Sequence, residues 1–359
     1  MTLFEDQFEL SSASIAEVRH WVRDRCYECQ ASDRIDLDKV EIAVGEVLQN
    51  IIRYAYSGPG PTDIRVCDLA ECVSITVFDQ APPNPIDQWK VQPEGTDGGF
   101  GLNLIKECSD AHRFRALKSG NRCSLYFFVD PVDLPFESLL WAGELLEARA
   151  ASESMMDLCR WTLREICNEH GFVLISTAID FVYSFEESSE RIPPYHNTSH
   201  FRDVLITVCH AIESEDLQLS EAEALGMVLA AILHDFAHPG RSAQFLGEIE
   251  KSTVAQVEAL WRNTDLGGFS DAIDICLDLI KSTSPVDRKT AKCRLGKMFN
   301  ACDIGPSFIS LHGITQAQNV AEELGETTPE VWKSFLATWH SIRIEHPAFV
   351  ERWREKCCS

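Results

Sequence analysis

No stretch of this chain approaches the roughly 20 consecutive apolar residues that would span a bilayer. The opening MTLFEDQFEL has neither a basic segment nor a long apolar core, so no secretory signal is expected. Positive charge is also scarce: 32 Lys and Arg face 56 Asp and Glu, a formal net charge of -24. So acidic a surface excludes nucleic acid and anionic membranes as main partners. It leaves an anionic small substrate open, because bound divalent cations reverse the field inside a pocket. Zinc-ribbon spacing is missing too. Cys26 and Cys29 form the only C-x-x-C among 14 cysteines, with no second pair and no histidine pair nearby. Reduced, mostly buried thiols in a cytoplasmic protein are the expectation.

What is present is enough for two cores. At 359 residues the chain is long for one domain, and 45% hydrophobic with 25% charged residues is ordinary globular composition. Ser14 to Cys29 reads as an amphipathic helix. Leu37 to Tyr56 reads as a second one, with Ile42, Val47, Leu48, Ile51 and Ile52 facing inward. Ile64 to Leu69, Cys72 to Phe78 and Cys123 to Val129 read as strands, and a helix is expected from Leu102 after a glycine-rich loop. This is the pattern of an α/β sandwich over residues 1–132. A connecting helix is expected over 133–150, around Leu139 to Arg149, and an all-helical domain over 151–359. Within the latter, Glu221 to Ala237 is apolar enough to be a buried central helix closed by Pro239-Gly240.

The helical half carries the chemistry. His196 and His200 are four apart, as are His234 and His238, so on helices each pair would share a face. Asp235 would lie between the four imidazoles, and Asp303 would close the site from a third helix. Imidazole suits borderline zinc, and a shared carboxylate can bridge to a harder ion such as magnesium or manganese. Two such ions can generate a hydroxide at neutral pH and clamp a phosphoryl oxygen. A lone buried histidine is usually a satisfied core residue. An adjacent His-Asp pair inside Leu233-His-Asp-Phe-Ala237 is different, because burying it costs several kcal/mol unless partners satisfy it.

Tyr195-His196-Asn197-x-x-His200-x-x-Asp203-Val204, His234-Asp235-x-x-His238-Pro239-Gly240 and Ala301-Cys302-Asp303-Ile304 resemble the catalytic domain of the class I cyclic-nucleotide phosphodiesterases, within the HD-domain phosphohydrolases. The resemblance covers residues 150–359. It implies that His200, His234, Asp235 and Asp303 ligate a tight Zn, Fe or Mn ion. Asp235 would also bridge to a second Mg or Mn ion held mainly by water. By the same resemblance His196 is the general acid and His238 supports the attacking hydroxide, with Asp203 a supporting carboxylate or simply a helix-face one. The implied substrate is cAMP or cGMP. Two departures stand out: Ala243 replaces an asparagine, and the purine-clamping glutamine has no counterpart unless His346, three residues before Phe349, takes its place.

In the first half, Glu46 and Asn50 share a helix face, Asp79 ends a strand, and Gly98-Gly99-Phe100-Gly101-Leu102 opens a helix. Asparagine can hold a magnesium ion between phosphates, and glycines at a helix start let backbone N–H groups approach them. The order and spacing resemble the GHKL, histidine-kinase-like ATPase fold of the anti-sigma-factor serine kinases. That resemblance implies ATP or ADP with Mg held by Glu46, Asn50, Asp79, Gly99 and Gly101. The run Asp79-Gln80-Ala81-Pro82-Pro83 lacks the glycine expected two residues after the aspartate. The first half would then sense adenine nucleotide or a regulatory protein partner, and a homodimer is compatible with both halves. Two other assignments stay open: a serine kinase or anti-sigma-like switch with the helical half as sensor, and a phosphohydrolase of another nucleotide.

Overall fold

The structure is a computed structural model describing residues 2–56, 58–69, 72–83, 100–117, 119–129, 136–150, 154–164, 166–213, 219–240, 245, 247–262, 268–284, 294–308 and 310–341. The chain divides into two compact units, Met1–Ala151 and Ser152–His346.

The first unit is an antiparallel five-stranded sheet with helices. Its strands are β1 (Leu3–Leu10), β2 (Gly60–Asp68), β3 (Cys72–Asp79), β4 (Ala111–Ala116) and β5 (Asn121–Phe128), in the order β1-β2-β3-β5-β4. Helices α1 (Ile15–Tyr27), α2 (Leu37–Asn50) and α3 (Phe100–Cys108) belong to the same unit. Alternation divides the sheet into faces. Ile64, Val66, Val73, Ile75, Val77, Leu125 and Phe127 form one core with Val18, Val22, Val44 and Leu48 of α1 and α2. Asp36 caps α2, accepting from the N–H groups of Asp38 and Lys39. The helix ends at Asn50 and gives way to a wider π turn over Ile51–Ala55, shorter than the run to Tyr56 that periodicity suggests. Ile42 faces solvent at 42% exposure rather than the core.

Polar side chains on the other sheet face meet helix α4 (Phe136–Ala150). Glu147 is buried there, accepting from Thr76 Oγ1 and Arg122 Nη2, each at 2.6 Å, and from the Tyr126 hydroxyl. Glu144 pairs with Arg113 and Arg115. The stretch that reads as a connector in the sequence is thus packed on the sheet of the first unit.

The second unit is helical: α5 (Met155–Leu163), α6 (Glu169–Ser188), α7 (Thr198–Ile212), α8 (Glu221–Leu233), α9 (Glu248–Trp261), α10 (Ser270–Ser282), α11 (Arg294–Ile304), α12 (Ser310–Leu324) and α13 (Thr328–Ser341). Helix α8 begins with a Ser220–Glu223 capping box and is buried from Ala224 to Leu233, packed by α6, α7, α10 and α11. Among the described residues no helix is long and apolar enough to cross a membrane. The cysteines of the described residues are free, and Cys26 and Cys29 are both buried.

Candidate metal centre

Two chain segments deliver the histidines, each by a different local device. Asn197 is the N-cap of α7. Its Oδ1 accepts from the N–H groups of Ser199 and His200 at 2.9 and 3.3 Å, while its Nδ2 donates to the Pro193 and Pro194 carbonyls at 2.9 Å each. Glu186 adds a carboxylate at the same helix start, taking the Thr198 N–H at 2.7 Å, where the helix dipole favours negative charge. His200 is thereby set in the first turn of α7 and buried, while His196 stands outside the helix.

Helix α8 ends at Leu233, four residues earlier than the apolar run suggests. His234 is its C-cap, and Ala237 adopts a left-handed φ of 58°, rare for a residue with a Cβ. His238 follows that reversal. The shared helical faces expected for His196 with His200 and for His234 with His238 are therefore not formed, because neither His196 nor His238 lies on a helix. The four imidazoles sort into two groups instead.

His200, His234, Asp235 and Asp303 form the first group, offering ligand atoms that all lie within 4.8 Å of one another. His200 Nε2 and His234 Nε2 are 3.2 Å apart, and His234 Nε2 lies 3.0 Å from Asp235 Oδ2 and 3.5 Å from Asp303 Oδ1. His200 Nε2 stands 3.5 and 3.6 Å from the same oxygens. Ligands bound at about 2.0–2.2 Å to one ion stand about 2.9–3.6 Å apart along polyhedron edges, so these spacings fit a single divalent cation. The tautomer fits as well. His234 Nδ1 lies 3.2 Å from the Ala231 carbonyl, an acceptor only, which puts the proton on Nδ1 and the lone pair on Nε2. His200 Nδ1 is buried with no hydrogen-bond partner among the described residues. Burial opposes charge on His234, but Asp235 and Asp303 outweigh it and raise its pKa to about 10, so the pocket's field favours a cation. Asp235 is held far below the usual carboxylate range, against its burial, by His234 and His196.

His196, His238 and Glu323 form the second group. The two imidazoles stack with centroids 3.5 Å apart. Glu323, on α12, accepts from His196 Nδ1 at 2.6 Å and from the backbone N–H groups of Tyr195 and His196 at 2.7 and 3.0 Å. Burial would raise Glu323, but the His196 imidazole and these N–H groups hold it below its ordinary value. His238 Nδ1 accepts from the Gly240 N–H at 3.1 Å, and burial followed by His196 pushes its pKa down to about 4. These hydrogen bonds account for the second cluster without an ion. Sequence reasoning passed over Glu323; Ala-Glu-Glu-Leu on an amphipathic helix offers no local mark that separates it from Glu322. Asp203 is buried and accepts from Gln316 Nε2 at 3.2 Å, a tie from α7 to α12.

In the first unit, Glu46 and Asn50 face the start of α3. A Cβ at Gly101 would lie 2.7 Å from Glu46 Oε2 and 3.5 Å from the Asn50 amide, so a side chain there would push the Glu46 carboxylate aside. Asp79, buried at the end of β3, accepts at Oδ1 from Asn121 Nδ2 at 2.8 Å and from the Ala81 N–H at 3.0 Å. Gly120 has φ of 104°, and a Cβ there would fall 1.9 Å from the Asp79 carbonyl oxygen. Gly99, Ala243, His346 and Phe349 lie outside the described residues.

Residues 8–127 match the family model of the histidine kinase-like ATPase domain, and residues 195–259 match that of the 3'5'-cyclic nucleotide phosphodiesterase. Among curated proteins, the 3',5'-cyclic-AMP phosphodiesterase 4 of Dictyostelium discoideum is 40% identical over 67 residues. That stretch is 18% of this chain and only 6% of the relative's length. Each half of the chain thus carries the resemblance that its motifs suggest. Asp303 and Glu323 lie beyond the matched phosphodiesterase segment and reach the site through the fold.

Proposed function

We propose that the helical unit is a metal-dependent phosphohydrolase that opens a 3',5'-cyclic nucleotide to the 5'-nucleotide. The observation that carries this reading is the meeting of four convergent ligand atoms with a carboxylate-oriented imidazole at their edge. His200, His234, Asp235 and Asp303 would hold the tight ion, Zn, Fe or Mn. Asp235, whose side chain is the most open of the four, would also reach a second Mg or Mn ion. Bound ions of this kind acidify water and polarise phosphoryl oxygens.

The chain's own residues do the proton work. Glu323 accepts a hydrogen bond from His196 Nδ1–H and fixes the ring, so that in the imidazolium form that serves as acid the Nε2–H, 3.7 Å from Asp235 Oδ2, is directed at the open site. As the water oxygen forms its bond to phosphorus and the P–O3' bond breaks, His196 Nε2 hands its proton to the departing 3' oxygen. The proton lost by the water restores His196. An imidazole placed in this way contributes about 10²–10⁴-fold to rate. The stacked, neutral His238 braces the face of His196.

Purified protein with manganese or magnesium should hydrolyse cAMP or cGMP, and His234→Ala should abolish this. Metal-loaded protein that cleaves no phosphodiester would sink the reading. The close approach of Glu46 and Asn50 to Gly101 supports the first unit as an adenine-nucleotide-binding regulator of that activity. Titration calorimetry should find Mg-ADP binding that Asn50→Ala removes. ATP-dependent phosphorylation of a co-purifying protein, indifferent to His234→Ala, would favour the switch reading instead.

A further inference from the structure

Helix α12 meets the α7 segment through two polar contacts set at equal spacing on both partners. His196 lines the cleft beside Asp235 and His238, and Glu323 holds it there. Seven residues back along α12, Gln316 donates from Nε2 to Asp203 Oδ2 at 3.2 Å. Asp203 in turn lies seven residues after His196. The two segments therefore pass each other in opposite directions, and the two contacts fix a single register. Seven residues are two helical turns, about 10 Å along the axis.

Gln316 is unusual on its face of α12. It is 4% exposed beside Ala317, Val320 and Ala321, which are buried and apolar. Gln318 and Glu322 of the same helix face solvent. Burying an amide costs free energy unless it is hydrogen-bonded, and the buried Asp203 carboxylate makes that bond a strong one. Contacts of the small apolar neighbours are non-directional and would tolerate a slide of α12 along its axis. A buried polar pair does not tolerate it, and fixes register as a buried asparagine does in coiled coils. Glu323 stands at the last turn of α12, with its bond to His196 Nδ1 only 2.6 Å long. A displacement of about 1 Å there is enough to spoil a proton-transfer geometry.

We propose that Gln316 is a positioning residue for the proton transfer, acting through Asp203 and the register of α12 to keep Glu323 on His196. The proposal rests on the phosphodiesterase reading, in which His196 protonates the departing 3' oxygen. It adds a residue that the histidine and aspartate motifs leave unmarked. Loss of the tie weakens delivery of the proton and leaves metal binding as it was.

The test is Gln316→Met, which keeps length and volume and removes the donor, on full-length, metal-loaded protein. The kcat for cAMP should fall about tenfold with KM within about twofold of wild type. Cleavage of bis-nitrophenyl phosphate, whose leaving group needs no proton, should stay within about twofold. Combined with Glu323→Gln, the cAMP loss should be no larger than in Glu323→Gln alone, because residues that act through one another are not additive. Gln316→Asn, one methylene too short to reach Asp203, should repeat the pattern and replaces the Met variant in the comparison if that one does not fold. An unchanged kcat for cAMP, equal losses on the two esters, or losses that multiply with those of Glu323→Gln overturn the positioning role while the phosphodiesterase reading stands. Wild-type protein that cleaves neither ester overturns that reading and the proposal with it.

Discussion

His196 and Glu323 are 127 positions apart in the chain, yet Nδ1 donates to Oε2 across 2.6 Å. Glu323 also grips the backbone N–H groups of Tyr195 and His196. One carboxylate therefore sets both the position and the orientation of the ring that faces the cleft.

Replacing Glu323 by Gln keeps the shape but removes the charge and the obligate acceptor. We expect kcat for a cyclic nucleotide to fall about 10²-fold, with KM changed much less. A nitrophenyl phosphodiester, whose leaving group needs no proton, should lose far less in both Glu323→Gln and His196→Asn. Equal losses on the two ester types would show that the pair is only structural.

The proposed tight metal site draws on four side chains from three helices or their ends. His234→Ala and Asp303→Asn should each lower bound transition metal, by plasma emission spectrometry, from stoichiometric to below about a tenth per chain, and activity by at least about 10³-fold. Stripping the wild type with a chelator should lower Tm by about 5–10 °C, the linkage expected when a ligand at about 100 times its Kd is removed. The two variants should show little of this drop. Full metal content in His234→Ala would contradict the assignment.

Ala237 sits at φ of 58° between the His234-Asp235 pair and His238. Glycine adopts this conformation freely, so Ala237→Gly should stabilise the protein by about 0.5–1 kcal/mol in urea unfolding. Ala237→Val should lower stability and activity together, since a branched side chain resists the reversal that aims His238 at His196. A destabilised Ala237→Gly would mean that the turn is not strained.

Glu147, on α4, is buried against the sheet. Burial favours its neutral form, but Arg122, Thr76 and Tyr126 outweigh that and hold its pKa below the ordinary carboxylate value. A depressed carboxylate contributes stability that is present above the unfolded pKa and is lost as pH falls through the folded one. The stability gap between wild type and Glu147→Gln should therefore be full at pH 6–7 and close below about pH 4.5. Glu147→Ala, which strands the Arg122 guanidinium, should cost about 3–5 kcal/mol at neutral pH. A gap that widens on acidification would refute this account.

Much of the fold was readable from local pattern. Alternating apolar residues mark β2, β3 and β5, and the continuous apolar run Ala224 to Leu233 marks α8. β1 and β4 escaped notice because they are the two edges of the sheet, where charged side chains such as Glu5, Asp6, Arg113 and Arg115 interrupt any alternation. Ile42 misled for the opposite reason. Period alone cannot tell a core-facing apolar residue from one left in solvent when nothing packs over it.

For the site, composition and spacing by themselves determined which residue types could hold an ion, because a His-Asp pair in an apolar run has few other stable explanations. What only the tertiary structure decided is how those residues divide. The end of α8 at Leu233 and the left-handed turn at Ala237 take His238 away from His234. Helix α12 then brings Glu323 to His196, leaving one group whose ligand atoms converge as a cation would need and another tied together by hydrogen bonds. Sequence spacing records distance along the chain, whereas ligation and proton transfer depend on atoms a few ångströms apart across it. That distance is set by where helices stop and what they pack against.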